Sequence, residues 1–261
     1  MATAYLGLIM PTRNVEGMVI KILKQIEKDQ WSYIQKLVII DNGSFDKTLV
    51  EVYNFIQNSG YGSKIFVQEN LKDLGYGYSI NCGLNLLVEE KDVMSIGIIH
   101  ADDQFSSKEL LDLYRLRNFL NPSDVLLINR IHDSVNSSSW RQRGRNFGNL
   151  IISLFGRLST GKKMKDFNTP FFLVSKSSAR ELLLKFNFGN DIYFHPRINL
   201  IFATLCQLHF DKIKWKRATK TTKIPIIRMG LKILKVYIMF GWYFRVKKVG
   251  IDESYKLASN L

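Results

Sequence analysis

The sequence predicts an α/β fold, a mostly parallel sheet with helices on both faces. Three observations carry this. Through the first half, apolar strand-like runs alternate with helical patterns, the rhythm of linked β-α-β units. One of those runs, Val93 to Ile99, is apolar nearly throughout, as strands covered on both faces are. No Pro- or Gly-rich linker divides the 261 residues, and a hydrophobic content of 46% is ample for one core.

The first strand, Tyr5–Met10, runs into Pro11-Thr12-Arg13-Asn14-Val15-Glu16. Proline has no amide to extend a ladder, so the chain turns there, and Glu16 is expected in the first turn of a helix over about Val15–Lys28. The second strand, Lys36–Asp41, ends in Asn42-Gly43-Ser44-Phe45-Asp46: an acid at a strand tip, a glycine turn, then a helix N-cap at Asp46. That helix reaches about Gln57. A third strand, Lys64–Gln68, leads to Leu74-Gly75-Tyr76-Gly77-Tyr78 and a helix over Tyr78–Leu87. The two glycines there suit close approach of backbone to a phosphate. Val93–His100 is the fourth strand; Ser107 caps the helix after it, Ser107–Leu120, and Asp124–Asn129 is the fifth strand.

The second half is less regular. A basic, Gly-containing stretch, Trp140–Arg157, precedes strand-like Pro170–Val174. Helical segments near Ser177–Phe186 and Pro196–Leu205 follow, then a strand near Gln207–Trp215 and a long apolar, cationic stretch. Residues 1–223 are read as the sheet domain and 224–261 as a C-terminal segment.

A net charge of +14 suggests nucleic acid, but its distribution argues otherwise. From Lys212 to Ile251 there are 12 Lys and Arg and no Asp or Glu, which nearly accounts for the whole imbalance. The basic residues are interleaved with large aliphatics rather than with exposed stacking aromatics, so nucleic acid is not expected as a partner. Within that stretch, Ile233–Val246 is apolar and aromatic nearly all round, yet Lys235 and Arg245 bracket only a short uncharged run, too short to cross a bilayer. With Tyr237, Trp242 and Tyr243 it reads as an amphipathic helix in the interface of an anionic membrane; a core helix with snorkelling lysines, or docking to a membrane-anchored partner, are the alternatives. Cys82 and Cys206 form no metal or redox motif, and the N-terminus lacks a signal-peptide pattern, so a cytoplasmic protein with reduced thiols is expected, peripheral at the inner membrane face.

Ile98 to Gln104 read I-I-H-A-D-D-Q, a strand ending in side chains suited to a metal. Ligands in open α/β sheets bind just beyond such strand ends. If the segment stays extended, His100, Asp102 and Gln104 share one face, and each offers oxygen or nitrogen to a divalent cation. Read alone, it is equally a capped strand end with a solvated acidic turn.

Taken in order, P-T-R-N-V-E, I-I-D-N-G-S-F-D, L-G-Y-G-Y-S-I-N-C-G and H-A-D-D-Q resemble the family 2 glycosyltransferases of GT-A (Rossmann-like) fold, most of all the dolichyl- and polyprenyl-phosphate sugar transferases. Asn129-Arg130 stands where those proteins carry Ser-Arg. Asp166-Phe167-Asn168-Thr169-Pro170-Phe171 is similar to their D-x-x-S-G-F segment, and Arg217 with Thr222-Lys223 is similar to their R-x-x-x-G-x-S-K motif. The resemblance spans roughly residues 5 to 225.

It implies a nucleotide-sugar pocket lined by Pro11, Arg13, Glu16, Asp41 and Gly75, with Asp41 on the base or ribose. Asp102 and Gln104 would hold Mn2+ or Mg2+ and, through it, the donor diphosphate. His100 replaces the first Asp of D-x-D, which removes one negative charge and shifts preference towards Mn2+. Pro170 replaces a glycine and cannot adopt positive φ, so the loop on the acceptor side is expected to differ.

A phosphate acceptor is already anionic and needs cationic positioning rather than a base, for which Arg130, Arg141, Arg143 and Arg145 are suited; a solvated basic helix face is the alternative for the last three. A sugar hydroxyl would need a carboxylate base, with Asp166 or Asp191 as candidates; His132 and His195 are further possibilities of a more structural kind. Asp102, Arg130 and Asp166 are the expected catalytic residues. The reading is an inverting transfer from a UDP- or GDP-sugar to polyprenyl phosphate at the membrane. Its rivals are transfer to a glycan hydroxyl in surface-polysaccharide assembly, and a degenerate binding or scaffold subunit, which His100, Asn42 and Pro170 keep open.

Overall fold

The computed structural model describes residues 5–117, 121, 123–132, 140–215 and 226–259. Seven strands form one sheet in the order β3-β2-β1-β4-β6-β5-β7. They are β1 (Leu6–Thr12), β2 (Ile34–Asn42), β3 (Ile65–Asn70), β4 (Ser95–Ile98), β5 (Asp124–His132), β6 (Phe172–Ser175) and β7 (Gln207–Trp215). Neighbouring pairs are parallel, except that β6 runs against both β4 and β5. The expected mostly parallel sheet is therefore present, with one reversed strand.

Ten α-helices are described: α1 (Met18–Gln25), α2 (Lys28–Tyr33), α3 (Thr48–Asn58), α4 (Tyr76–Glu89), α5 (Ser107–Leu116), α6 (Trp140–Thr160), α7 (Lys176–Lys185), α8 (Phe194–Leu205), α9 (Ile226–Gly241), which continues as a π-helical turn over Trp242–Val246, and α10 (Ile251–Ser259). Alternation along the strands sorts the core onto two faces. Ile9, Val38 and Ile40 point to one side, where α4, α8 and α9 supply Leu84, Phe202 and Tyr237. Leu8, Met10, Leu37 and Ile39 point to the other, covered by Ile22 of α1, Val52 of α3 and Leu110 of α5. At about 1.5–3 kcal/mol for each large aliphatic buried, both layers are needed to hold the sheet.

Several elements depart from expectation for local reasons. The helix expected over Val15–Lys28 is the shorter α1, and a further, unexpected helix, α2, follows it, started afresh by the reciprocal capping box of Glu27 and Gln30. Glu16 is not in the first turn of α1. Gly17, at φ +74°, is the N-cap, and Glu16 instead accepts the Lys47 amide at the start of α3 (3.3 Å). Ser106 rather than Ser107 caps α5, accepting from the Glu109 amide at 3.2 Å. Lys47 holds the N-cap position of α3, although the Asp46 carboxylate does accept the Thr48 amide (3.0 Å). The glycine-containing basic stretch is a continuous helix, α6. Tyr237, expected among interfacial aromatics, is fully buried and donates to the Pro196 carbonyl (3.0 Å), so α9 packs one face into the core. No helix among the described residues is long and apolar enough to cross a membrane.

Candidate active site at the carboxyl ends of the central strands

The order β3-β2-β1-β4 places β1 between β2 and β4, so the crevice past their carboxyl ends is where the sheet changes direction of winding. The segments that resemble the family motifs converge there. β4 ends early because the Tyr114 phenol of α5 accepts the Ile98 amide (3.3 Å) and lies within bonding distance of the Ile98 and Phe172 carbonyls. Gly97 makes this possible: a Cβ there would come within 2.5 Å of the Tyr114 ring.

Beyond β4 the chain is not extended, contrary to the alternate-residue argument. It bends from Ala101 to Phe105, with Asp103 at φ +53° and the Asp102 carboxylate accepting the Gln104 amide at 3.3 Å. His100, Asp102 and Gln104 therefore share a turn rather than a strand face. All three are partly exposed.

The His100 ring is held by aromatic packing, edge-on to Phe171 (centroids 5.1 Å apart) and parallel to Tyr76 (5.9 Å). The Tyr76 hydroxyl sits 3.4 Å from His100 Nε2 and 2.6 Å from His195 Nε2. One phenol thus joins the strand-tip histidine to a buried histidine on α8. Burial holds this phenol well above its ordinary range, and the charge of Asp102 adds to that, so it stays protonated as a donor. Sequence reasoning left Tyr76 unassigned and kept His195 only as a further possible base of a more structural kind.

On the β1–β2 side, Arg13 is exposed and ion-paired with Asp73, which also accepts the Asn42 side-chain amide (2.7 Å) and the Gly75 amide (2.9 Å). Asp41 is fully enclosed. Its two oxygens accept the Ser44 amide (2.9 Å) and the Thr12 hydroxyl (3.2 Å), so it shapes the turn after β2 from beneath. Pro11 is half-buried at the end of β1, and Glu16 lies exposed beside the start of α3.

Gly75 and Gly77 do admit a close backbone approach, but it is made by the protein itself. The amides of Gly77 and Tyr78 donate to the carbonyls of Asp191 (3.2 Å) and Asn190 (3.1 Å). A Cβ on Gly75 would come within 2.1 Å of the Asn190 carbonyl, and one on Gly77 within 2.7 Å of two carbonyls. The helix N-terminus expected to face a phosphate is thus capped by the 189–191 loop. That loop carries Asp191 to the edge of the site, where Arg197 pairs with it at 3.0 Å.

Asp166 lies elsewhere in role: it accepts the Asn168 amide (2.9 Å) and closes the turn before β6. No residue of that turn has positive φ, and Asn199 clamps it by donating to the Phe167 and Thr169 carbonyls (3.1 and 2.9 Å). Pro170 is accommodated without a glycine conformation. Arg130 falls on β5 and Arg141, Arg143 and Arg145 on α6; their side chains lie outside the described residues, as do that of His132 and all of Arg217, Thr222 and Lys223.

The donor set fits a divalent cation. Among the described residues no three His, Cys, Asp or Glu side chains already converge, so an amide oxygen such as that of Gln104 has to complete any set of three. Carboxylate, imidazole and amide within one bend suit a borderline ion such as Mn2+. Beside them Asp103 Oδ1 is enclosed without a hydrogen-bond donor, while its other oxygen pairs with Lys21.

The arrangement has close parallels in shape. A crystal structure of glucosyl-3-phosphoglycerate synthase from Mycobacterium tuberculosis with Mn2+, uridine diphosphate and phosphoglyceric acid superimposes with a TM-score of 0.63 at 11% identity, over 91% of this chain and 78% of that one. A mycobacterial protein gives 0.64 at 10% identity, covering 91% and 74%. S. aureus TarS (residues 1–349) gives 0.52 at 15% identity, covering 90% and 65%. At such identities the likeness speaks to the fold alone, and none of the curated protein sequences matches the chain. The sequence pattern decides membership: the model of glycosyl transferase family 2 spans residues 8–183, from β1 through most of α7, and takes in every segment of the crevice up to Asp166. The chain belongs to that family and is a glycosyltransferase of GT-A fold.

Proposed function

We propose that this glycosyltransferase moves one sugar from a UDP- or GDP-sugar to polyprenyl or dolichyl phosphate, with inversion, at the cytoplasmic face of a membrane. The observation that carries the donor half is the bend after β4, which gathers His100, Asp102 and Gln104 at the carboxyl end of the central strands. There Asp102, His100 and Gln104 would hold Mn2+ or Mg2+, which as a Lewis acid offsets charge on the departing diphosphate. Mn2+ with uridine diphosphate in the mycobacterial synthase supports this reading.

The chain's own residues do the rest. Arg13, at the crevice mouth, supplies a guanidinium for the donor's anionic part. Asp41, from below, fixes the turn on which base and ribose would lie. Tyr76 holds the His100 ring in place through its hydroxyl. The incoming oxygen of a phosphate acceptor attacks the anomeric carbon from the face opposite the leaving group and needs no base. Support for a phosphate comes from α6 and from the stretch between Asp211 and Asp252, which carry Lys and Arg without a carboxylate.

One observation favours a second reading, in which the acceptor is a glycan hydroxyl. Asp191 stands at the crevice edge, about half exposed, where a general base would have to be. Both Asp166 and Asp191 accept the amide two residues on through one oxygen (2.9 Å each), and Asp191 pairs with Arg197 through that same oxygen.

The test is incubation with Mn2+, polyprenyl phosphate and a panel of labelled UDP- and GDP-sugars, counting label in the organic phase, with Asp102→Ala alongside. Metal-dependent label that the substitution reduces by roughly a hundredfold or more supports the lipid acceptor. Metal-dependent donor hydrolysis without extractable label transfers the case to the hydroxyl acceptor and Asp191. Neither binding nor turnover with any donor leaves a scaffold subunit.

A further inference from the structure

Two neighbouring helices turn apolar side chains outward at regular helical spacing. On α6 these are Phe147, Leu150, Leu154 and Leu158, between 48% and 64% exposed. On α9 and the turn beyond it they are Leu231, Ile238, Trp242 and Val246, between 45% and 62% exposed. Each set falls on one helix face. The helices are in direct contact: Ser159 Oγ donates to the Tyr237 carbonyl (2.6 Å), and a Cβ on Gly241 would come within 3.0 Å of Ser159. The stripes approach one another where the Arg245 guanidinium donates to the Leu158 carbonyl (3.0 Å).

The charges that α6, α9 and the turn beyond α9 themselves carry have one sign, while exposed Asp252 and Glu253 open α10, which packs against α9. No Asp or Glu occurs from Ser134 to Lys165 or from Lys212 to Ile251. Exposed Lys162, Lys163 and Lys165 follow α6, and exposed Arg245, Lys247 and Lys248 follow α9. The Lys247 ammonium lies over the Trp242 ring at 5.7 Å. Apolar side chains with a cationic margin, and no carboxylate on either helix, match an anionic bilayer surface: the apolar groups enter the acyl boundary and the cations meet lipid phosphates. A protein partner would have to be acidic throughout its contact to answer these cations as an anionic bilayer does.

We propose that the joint α6–α9 face is a docking surface for an anionic lipid bilayer, with α6 as much a part of it as the C-terminal helix. The inference deepens the lipid-acceptor reading by supplying the surface on which the enzyme meets its acceptor, and it can fail separately from it.

The experiment is flotation of the full chain with vesicles of phosphatidylcholine alone and of phosphatidylcholine with phosphatidylglycerol, at low and high salt. Binding is expected to the anionic vesicles only and to weaken with salt. Leu154→Glu with Trp242→Glu, both at exposed positions, is expected to reduce it at least tenfold with the thermal midpoint retained. Leu8→Ala, in the opposite core layer, serves as a variant weakened in stability that should still float. Equal binding to neutral and anionic vesicles, or no binding to either, overturns the inference. So does a dimer in sedimentation equilibrium that the double variant abolishes, since a second copy would then occupy the face. Asp102→Ala should float like the parent while losing transfer; in the parent chain, flotation without transfer removes the acceptor reading alone, and transfer without flotation removes the docking surface alone.

Discussion

At the residue scale, the Tyr76 hydroxyl decides how His100 stands. The ring of His100 is packed on two sides, by Phe171 and by Tyr76, the phenol reaches its Nε2 at 3.4 Å, and the same oxygen bonds the buried His195 at 2.6 Å. Groups that orient a metal-ligating ring commonly change metal affinity by tenfold to a hundredfold when removed. Tyr76→Phe keeps the packing and removes only the oxygen. Mn2+ affinity is expected to fall by about tenfold or more, with about 1–3 kcal/mol lost in stability because His195 loses a buried partner. Titration of Mn2+ against activity, beside a thermal melt, checks both; unchanged Mn2+ affinity with lowered stability would confine Tyr76 to a structural role. Asp102 and His100 were legible in the sequence because a metal-friendly cluster directly follows an apolar run. Tyr76 and His195 were not, because they are 119 residues apart and meet only when α4 and α8 dock on the same sheet face.

At the scale of elements, the strands were the most legible part, since a β-strand's signal is local apolar content bounded by turn residues. β7 is found at the expected residues Gln207–Trp215, and β1, β2 and β3 differ only at their ends. What failed were features set by contacts distant in sequence. α6 was read only as a basic, Gly-containing stretch, because Gly144, Gly148 and Gly156 weaken a helical pattern; in the fold Gly156 is where the Phe167 ring presses closely on the helix. The glycines at the start of α4 were read as room for a phosphate, and the structure gives that room to the 189–191 loop. This yields a sharp expectation for Gly77→Ala. The new methyl would stand 2.7 Å from the carbonyls of Gly189 and Asp191, both backbone atoms that cannot rotate away. The loop must shift, taking with it the caps on α4 and the entry to α8 that carries His195. A loss of about 1–3 kcal/mol is expected, read as a lowered midpoint in denaturant. A parallel fall in activity would show that the loop also sets the site. Retention of the parent midpoint would contradict the packing.

At the scale of the whole molecule, buried tyrosines tie one element to another, and they set an alkaline limit on stability. Tyr114 of α5 bonds backbone of β4 and β6; Tyr237 of α9 donates to the Pro196 carbonyl of α8; Tyr255 of α10 donates to the Asn187 carbonyl after α7 (3.0 Å). Burial is the chief cause that raises all three phenols above the ordinary value of 10, and Asp166 adds to it at Tyr237. The sign follows directly. The folded state withholds ionisation that the unfolded chain gains, so their contribution is complete below pH 10 and is lost as pH rises from there towards the folded values. Each group withdraws about 1.4 kcal/mol per pH unit in that window, and the three together about 4. Against a net stability of about 5–15 kcal/mol, unfolding is expected within about one to four units above pH 10. The Cys206 thiol, pushed up from 9.0 to about 12 by burial first and by the charges of Glu181 and Asp124 next, begins the same decline one unit lower. Denaturant midpoints from pH 7 to 12 test this. Cys206→Ala should remove the part between pH 9 and 10, and Tyr255→Phe should make the limb above pH 10 shallower while lowering the plateau by about 1 kcal/mol for the lost hydrogen bond. A plateau that extended unbroken to pH 12 would mean that these phenols are not enclosed, and with them the docking of α5, α9 and α10 on the sheet would fall.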